Sequence, residues 1–142
     1  MSLEEKNAWA FGLIAVAGYA TYVTIILGAA SGGPLEQTPY VVPMLTTIGG
    51  AIAAGILANI LIATASPRER EKKDQRDREI YRFGDYVGQS FVVVGAVSAL
   101  VLAMLEADHF WIANVIYLAF VLSAVLSTIA RIVAYRRGMH TW

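Results

Sequence analysis

Read as a pattern of apolar and polar positions, the chain is four long hydrophobic runs divided by polar interruptions of unequal kind. The runs at 8–29, 43–65, 84–105 and 110–133 each reach the roughly 20 helical residues needed to cross a bilayer core of about 30 Å. In lipid each run must satisfy its own amide groups, which predicts α-helix throughout; no closed barrel fits the pattern. The expected fold is all-α, an integral membrane four-helix bundle forming one domain over 1–142.

The interruptions set the arrangement. Residues 30–42 contain Gly32, Gly33, Pro34 and Pro39 and no Lys or Arg, and Pro43 suits a first helical turn, where a missing N–H costs nothing. Residues 106–109, Glu-Ala-Asp-His, are so short that helices three and four must form a tight antiparallel pair. The stretch 66–85, SPREREKKDQRDREIYRFGD, is different: it carries seven of the eleven basic residues, Arg68, Arg70, Lys72, Lys73, Arg76, Arg78 and Arg82. Nothing after Pro67 breaks a helix before Gly84, so helix three is expected to extend into the aqueous phase. The pairs Glu69 with Lys73 and Asp74 with Arg78 have the favourable acid-before-base i,i+4 order.

Composition agrees. The chain is 57% hydrophobic, above the roughly 45–50% of ordinary soluble domains, and its mean hydropathy is +0.56. Eleven acidic residues balance eleven basic ones, yet the basic residues all fall in one set of segments: Lys6, the central stretch, and Arg131, Arg136 and Arg137. By the positive-inside rule both termini and the loop 66–83 are expected in the cytoplasm of a bacterial cell. Trp9, Tyr81, Phe83, Tyr86 and Tyr135 would mark the inner boundary and Tyr40, Phe110 and Trp111 the outer one. The first run has two acids and a lysine before it and no small-residue cleavage site at the usual distance, so it reads as a retained helix.

Helices in lipid gain little from apolar burial against each other and rely on close approach through small residues. Gly84, Gly88, Gly95 and Ser98 with Phe91 form such a stripe on helix three. Ala51, Gly55, Ala58 and Asn59 form one on helix two, with Gly50 and Ala54 on a second face, and Ala8, Gly12, Ala15 and Tyr19 form one on helix one.

Candidate chemistry is sparse. With no cysteine, disulfides, thiolate metal sites and dithiol redox chemistry are excluded. No paired intramembrane histidines, phosphate loop or zinc motif occurs, and no carboxylate lies at mid-depth in helix one. No enzyme, cofactor or catalytic residue is therefore expected. Glu106, Asp108 and His109, joined by Glu36, could hold a divalent cation, but Asp108 is better read as the N-cap of helix four, and no metal site is assigned. Polar residues at membrane depth are Asn59, Asp85, Gln89, Asn114, Tyr117 and Arg131. Asp85 and Arg131 should share a depth and pair, either as a brace or as part of an ion path. Tyr19 and Tyr22 are expected to pack, and His140 to be exposed.

Four segments carry a resemblance: SLEEKNAW at 2–9, KKDQRDREIYRFGDYVG at 72–88, EADHFWIANVIYLAFVLSA at 106–124 and RIVAYRRG at 131–138. Together they resemble small four-span bacterial membrane proteins, mostly actinobacterial, of unassigned function. The resemblance implies companionship with small helix-turn-helix regulators and supplies no catalytic residue. Three functional expectations stand side by side. One is a non-enzymatic protein presenting Arg68 to Arg82 to a cytosolic partner or to anionic lipid headgroups. The others are a small oligomeric channel or transporter with Asn59, Gln89, Asn114, Tyr117 and Arg131 along its path, and an accessory subunit of a larger membrane complex. A homo-oligomer is expected, and no direct nucleic-acid partner.

The topology has a direct test, because the chain has no cysteine to confuse labelling. In intact cells His109→Cys should react with an impermeant maleimide and Lys73→Cys only after permeabilisation; labelling of both from one side would refute the arrangement.

Overall fold

In a computed structural model of the protein, residues 3–65 and 75–137 are described, and they form four long α-helices. These are α1 (Leu3–Ala30), α2 (Val41–Ala65), α3 (Gln75–Met104) and α4 (His109–Arg137), with a 3-10 turn at Leu35–Gln37 between the first two. All four are long and apolar enough to cross a membrane. Each extends past the sequence-based limits, most of all α3, which starts at Gln75 rather than 84. That places the charged residues Arg76, Arg78 and Arg82 on a continuous helix, as a chain without helix breakers should. The pairs Glu69–Lys73 and Asp74–Arg78 lie outside the described residues.

The starts of α1 and α3 and the ends of α2 and α4 fall at one end of the bundle, called here the basic end; the 31–40 connection and the turn after α3 form the turn end. At the turn end α3 closes with Ala107 N–H bonding Leu102 C=O and Glu106 N–H bonding Ala103 C=O, with Glu106 in the left-handed region at φ 57°. Asp108 occupies the N-cap position of α4, its carbonyl accepting from Trp111 N–H at 3.0 Å. Pro43 sits in the first turn of α2.

The helices pack in the order α2, α1, α4, α3. The antiparallel α3–α4 pair has the most extensive contact, α1 lies against both α2 and α4, and α2 has no extended contact with α3 or α4. The bundle is therefore open along the side between α2 and α3. Outward faces are apolar, for example Ile52, Ile56, Leu57, Ile60 and Leu61 on α2, as helices facing hydrocarbon require.

Glycines set the close approaches. A Cβ added at Gly95 would stand 2.1 Å from the Ala119 Cβ, one at Gly88 would stand 2.8 Å from the Ser123 carbonyl oxygen, and one at Gly12 would stand 2.7 Å from a methyl of Thr128. So α4 presents Ala119, Ser123, Ser127 and Thr128 to glycines on both neighbours. The α1–α2 contact is looser: Gly18 faces Ala51, and Gly55 faces the Phe11 ring. Two expected positions move. Ser98 is exposed and bonds Val94 C=O, so the α3 stripe ends on buried Ala99 instead. Gly50 has open space around it and Ala54 is exposed, so that second face of α2 meets no helix among the described residues.

Gly95→Ile should destabilise the protein by about 3 kcal/mol in detergent unfolding, because neither helix can yield a full side chain at that distance. Val93→Ile, half-exposed on α3, should change stability by less than ~0.5 kcal/mol. Gly95→Ala should be largely restored by Ala119→Gly; additive losses would refute the seam.

Candidate functional site

Polar side chains gather in two clusters, one near each end of the bundle. Toward the turn end the cluster is aromatic and hydroxylic. Tyr22, only 1% exposed, donates from its hydroxyl to Asn114 Oδ1, and Asn114 Nδ2 donates to Phe110 C=O at 2.7 Å. The Tyr117 hydroxyl shares a 3.0 Å hydrogen bond with Thr47 Oγ1, which also donates to Pro43 C=O at 2.9 Å. The Tyr19 ring meets Tyr117 edge-on at 5.3 Å, and Tyr40 meets Phe110 likewise at 5.6 Å. Tyr22, Asn114, Tyr117 and Thr47 are each partnered, so this cluster ties α1, α2 and α4 together. Phe110, read from sequence as a boundary aromatic, is buried in this core because the Tyr40 and Trp111 rings close over it.

At the basic end the centre is Arg131. Its guanidinium donates to Asp85 Oδ1 at 2.6 Å and to Tyr81 C=O at 3.4 Å, and lies 4.1 Å over the Tyr81 ring centroid. Gly84 makes this possible, since a Cβ there would stand 2.5 Å from Arg131 Nε. The pair is lopsided: the Arg131 side chain is 14% exposed and that of Asp85 60%. Two further links close the same end. Arg136 donates to Glu5 Oε1 at 3.0 Å, joining α4 to α1. Arg76 donates to Tyr135 C=O at 3.4 Å, setting a cation at the negative end of the α4 dipole.

Inside this frame lies a polar pocket of about 240 Å³, lined by Asn7, Ala8, Phe11, Asn59, Tyr81, Arg131 and Tyr135, so that all four helices contribute. Beyond it, toward the turn end, an apolar groove of about 620 Å³ is floored by Ala15 and Gly18 of α1. Its walls include Ile48 and Ile52 of α2 and Tyr117 and Phe120 of α4.

Among the predicted site residues, Arg131, Asn59 and Asp85 come together at or beside the pocket, Asp85 on the outer side of Arg131. Asn114 and Tyr117 belong to the opposite cluster, and Gln89 is exposed on α3. Those residues do not converge on one path within the chain. Arg76, Arg78 and Arg82 are exposed at the start of α3, while Arg68, Arg70, Lys72, Lys73 and His140 lie outside the described residues. Glu106, Asp108 and His109 are exposed, and among the described residues no group of three or more His, Asp and Glu side chains is placed to hold a metal. Sequence reasoning missed Asn7, and it assigned Tyr81 and Tyr135 to the boundary belt. Their helical spacing with Asn59 and Arg131 carries no signal until the helices are packed.

No known protein family, curated protein or solved structure matches the chain.

The uneven burial of the ion pair predicts an uneven response. Asp85→Ala leaves a largely buried guanidinium without its carboxylate and should cost on the order of 2 kcal/mol in detergent unfolding. Arg131→Met leaves a carboxylate that water can reach and should cost about 1 kcal/mol. The reverse order would refute the burial assignment.

Proposed function

We propose that the protein is a non-enzymatic, multi-pass protein of the bacterial cytoplasmic membrane, with both termini cytoplasmic, that presents a cationic rim to a cytosolic protein partner. The observation that carries this reading is the exposure of Arg76, Arg78 and Arg82 on α3 and of Arg136 and Arg137 on α4 at the same end of the bundle. In sequence, Arg68, Arg70, Lys72 and Lys73 come between the end of α2 and the start of α3. A rigid helix projecting arginines beside a membrane boundary suits an acidic protein surface, since its side chains are already spaced and their attraction adds over several charges. The resemblance to four-span proteins accompanying small regulators is in keeping with a partner of that kind. Membership of a homo-oligomer or of a larger complex is compatible with the apolar outer faces.

The channel or transporter reading has less support. The polar groups divide between two ends, and the stretch between them is occupied by glycine, alanine and serine contacts on α4.

Capture from cytosolic extract decides the matter. The intact protein in nanodiscs of neutral lipid should retain a partner in low salt and release it as salt rises. Changing Arg68, Arg70, Lys72, Lys73, Arg76, Arg78 and Arg82 to Gln should abolish retention while leaving the melting temperature unchanged. Retention unaffected by the seven changes would end this reading; loss of affinity only for anionic vesicles would reassign the rim to lipid headgroups.

A further inference from the structure

Outward-facing hydroxyls on these helices are satisfied within their own helix: Thr21, Thr24, Thr64 and Ser98 each donate to the carbonyl four residues back, and Ser90 to the one three back. Gln89 is different. It is exposed on α3 and makes no hydrogen bond among the described residues. Its depth follows from its neighbour, since Gly88 lies against the Ser123 carbonyl and Ser123 is the middle residue of the 29 in α4. A carboxamide at the centre of a span meets acyl chains, which offer it neither donor nor acceptor, and no water. The group that answers its donor and its acceptor at once is another carboxamide, and a second copy inserted the same way carries one at the same depth.

The rest of that face is complementary to itself. Gly88 and Gly95 mark the side of α3 that meets α4. At about 100° per residue, Asp85, Val92, Ala96 and Ala99 turn from Gln89 toward α4, and Arg82, Val93 and Leu100 turn away from it. On the α4 side Asp85, 60% exposed, gives one oxygen to Arg131 and has no second cation among the described residues. Beside it a hollow of about 200 Å³ opens between Val92, Ala96 and Ala99 of α3 and Ile116, Ala119 and Phe120 of α4. On the far side Arg82 is exposed with no ion pair among the described residues, and Leu100 is 59% exposed. A two-fold axis beside Gln89 brings the α4 side of each α3 opposite the far side of the other. Arg82 of each copy then faces Asp85 of the other, and Leu100 of each faces the other's hollow. The two Asp85 carboxylates stand on opposite sides of the axis.

We propose that a second copy of this chain packs against this face of α3 about a two-fold axis along the membrane normal, with the two Gln89 carboxamides hydrogen-bonded to each other near the bilayer centre. Arg82–Asp85 pairs close the interface at the basic end, and the Leu100 side chains fill the hollows toward the turn end. Both copies keep one topology, because the axis does not invert them. The interface takes one cation of the rim, Arg82, and leaves the arginines of α4 outside it; it holds whether or not a cytosolic protein binds there.

The chain has no cysteine, so single substitutions report contact directly. In membranes treated with copper phenanthroline, Ala96→Cys, on the Gln89 face, should give a disulfide-linked homodimer, and Val101→Cys, exposed on a different face, should stay monomeric. Energy transfer between full-length chains fused to donor or acceptor fluorescent proteins, followed in liposomes as the protein-to-lipid ratio falls, reads the dissociation constant. Gln89→Leu should raise it tenfold or more and Arg82→Gln several-fold, whereas Arg137→Gln should leave it unchanged. All three side chains are exposed, so the melting temperature of the monomer in strong detergent should not move. A monomer at every ratio, equal cross-linking at 96 and 101, or an affinity unmoved by Gln89→Leu or by Arg82→Gln would overturn the proposal. So would cross-linking of Ala96→Cys only to a different membrane protein.

Discussion

Close backbone approach along α4 is the contact on which the rest of this bundle depends. Apolar helices surrounded by apolar solvent have no hydrophobic reason to associate, so dispersion contacts at short range must do it. Here those contacts are made by glycines at 12, 88 and 95 set against Thr128, Ser123 and Ala119. Because α4 receives helices on two sides, it acts as the axis, and among the described residues it contains the most buried positions, from Phe110 to Ala134. Helix α2, joined through α1 and a single hydroxyl pair to Tyr117, is the peripheral element.

The polar clusters follow from the same solvent. Hydrogen bonds and ion pairs are costly to leave unmade in hydrocarbon, so polar side chains are either satisfied in full or placed where water and headgroups begin. The tyrosine and asparagine cluster takes the first course, with Tyr22, Asn114, Tyr117 and Thr47 all partnered. The basic end mixes the two. Arg136 and Asp85 reach the surface while their partners Glu5 and Arg131 are buried, which ties α1, α3 and α4 at the boundary without enclosing complete ion pairs.

Among the described residues, this economy is incomplete at the basic end, where Asn7 Oδ1 and Arg131 Nε are buried without a partner. Arg131 is drawn in several directions, by Asp85, by the Tyr81 ring and by the gap that Gly84 leaves, and one of its nitrogens still lacks a partner.

Sequence by itself determined the class, the number of spans, the antiparallel pairing of α3 with α4 and the gathering of the described basic residues at one end. These follow from run lengths, from a connection of only four residues and from the cost of charge in lipid, all of which act locally along the chain. The likeness in depth of Asp85 and Arg131 was also legible, because two helices joined by a short turn place residues equally far from it side by side. Tertiary structure alone decided that α4 is the axis, that the bundle is open between α2 and α3, and that Asn7, Asn59, Tyr81 and Arg131 surround one pocket. Every helix here offers small residues on more than one face, so periodicity could not choose among them. Gly95 and Ala119 could show their fit, and Gly50 its lack of a neighbour, only once the helices had been rotated and brought together.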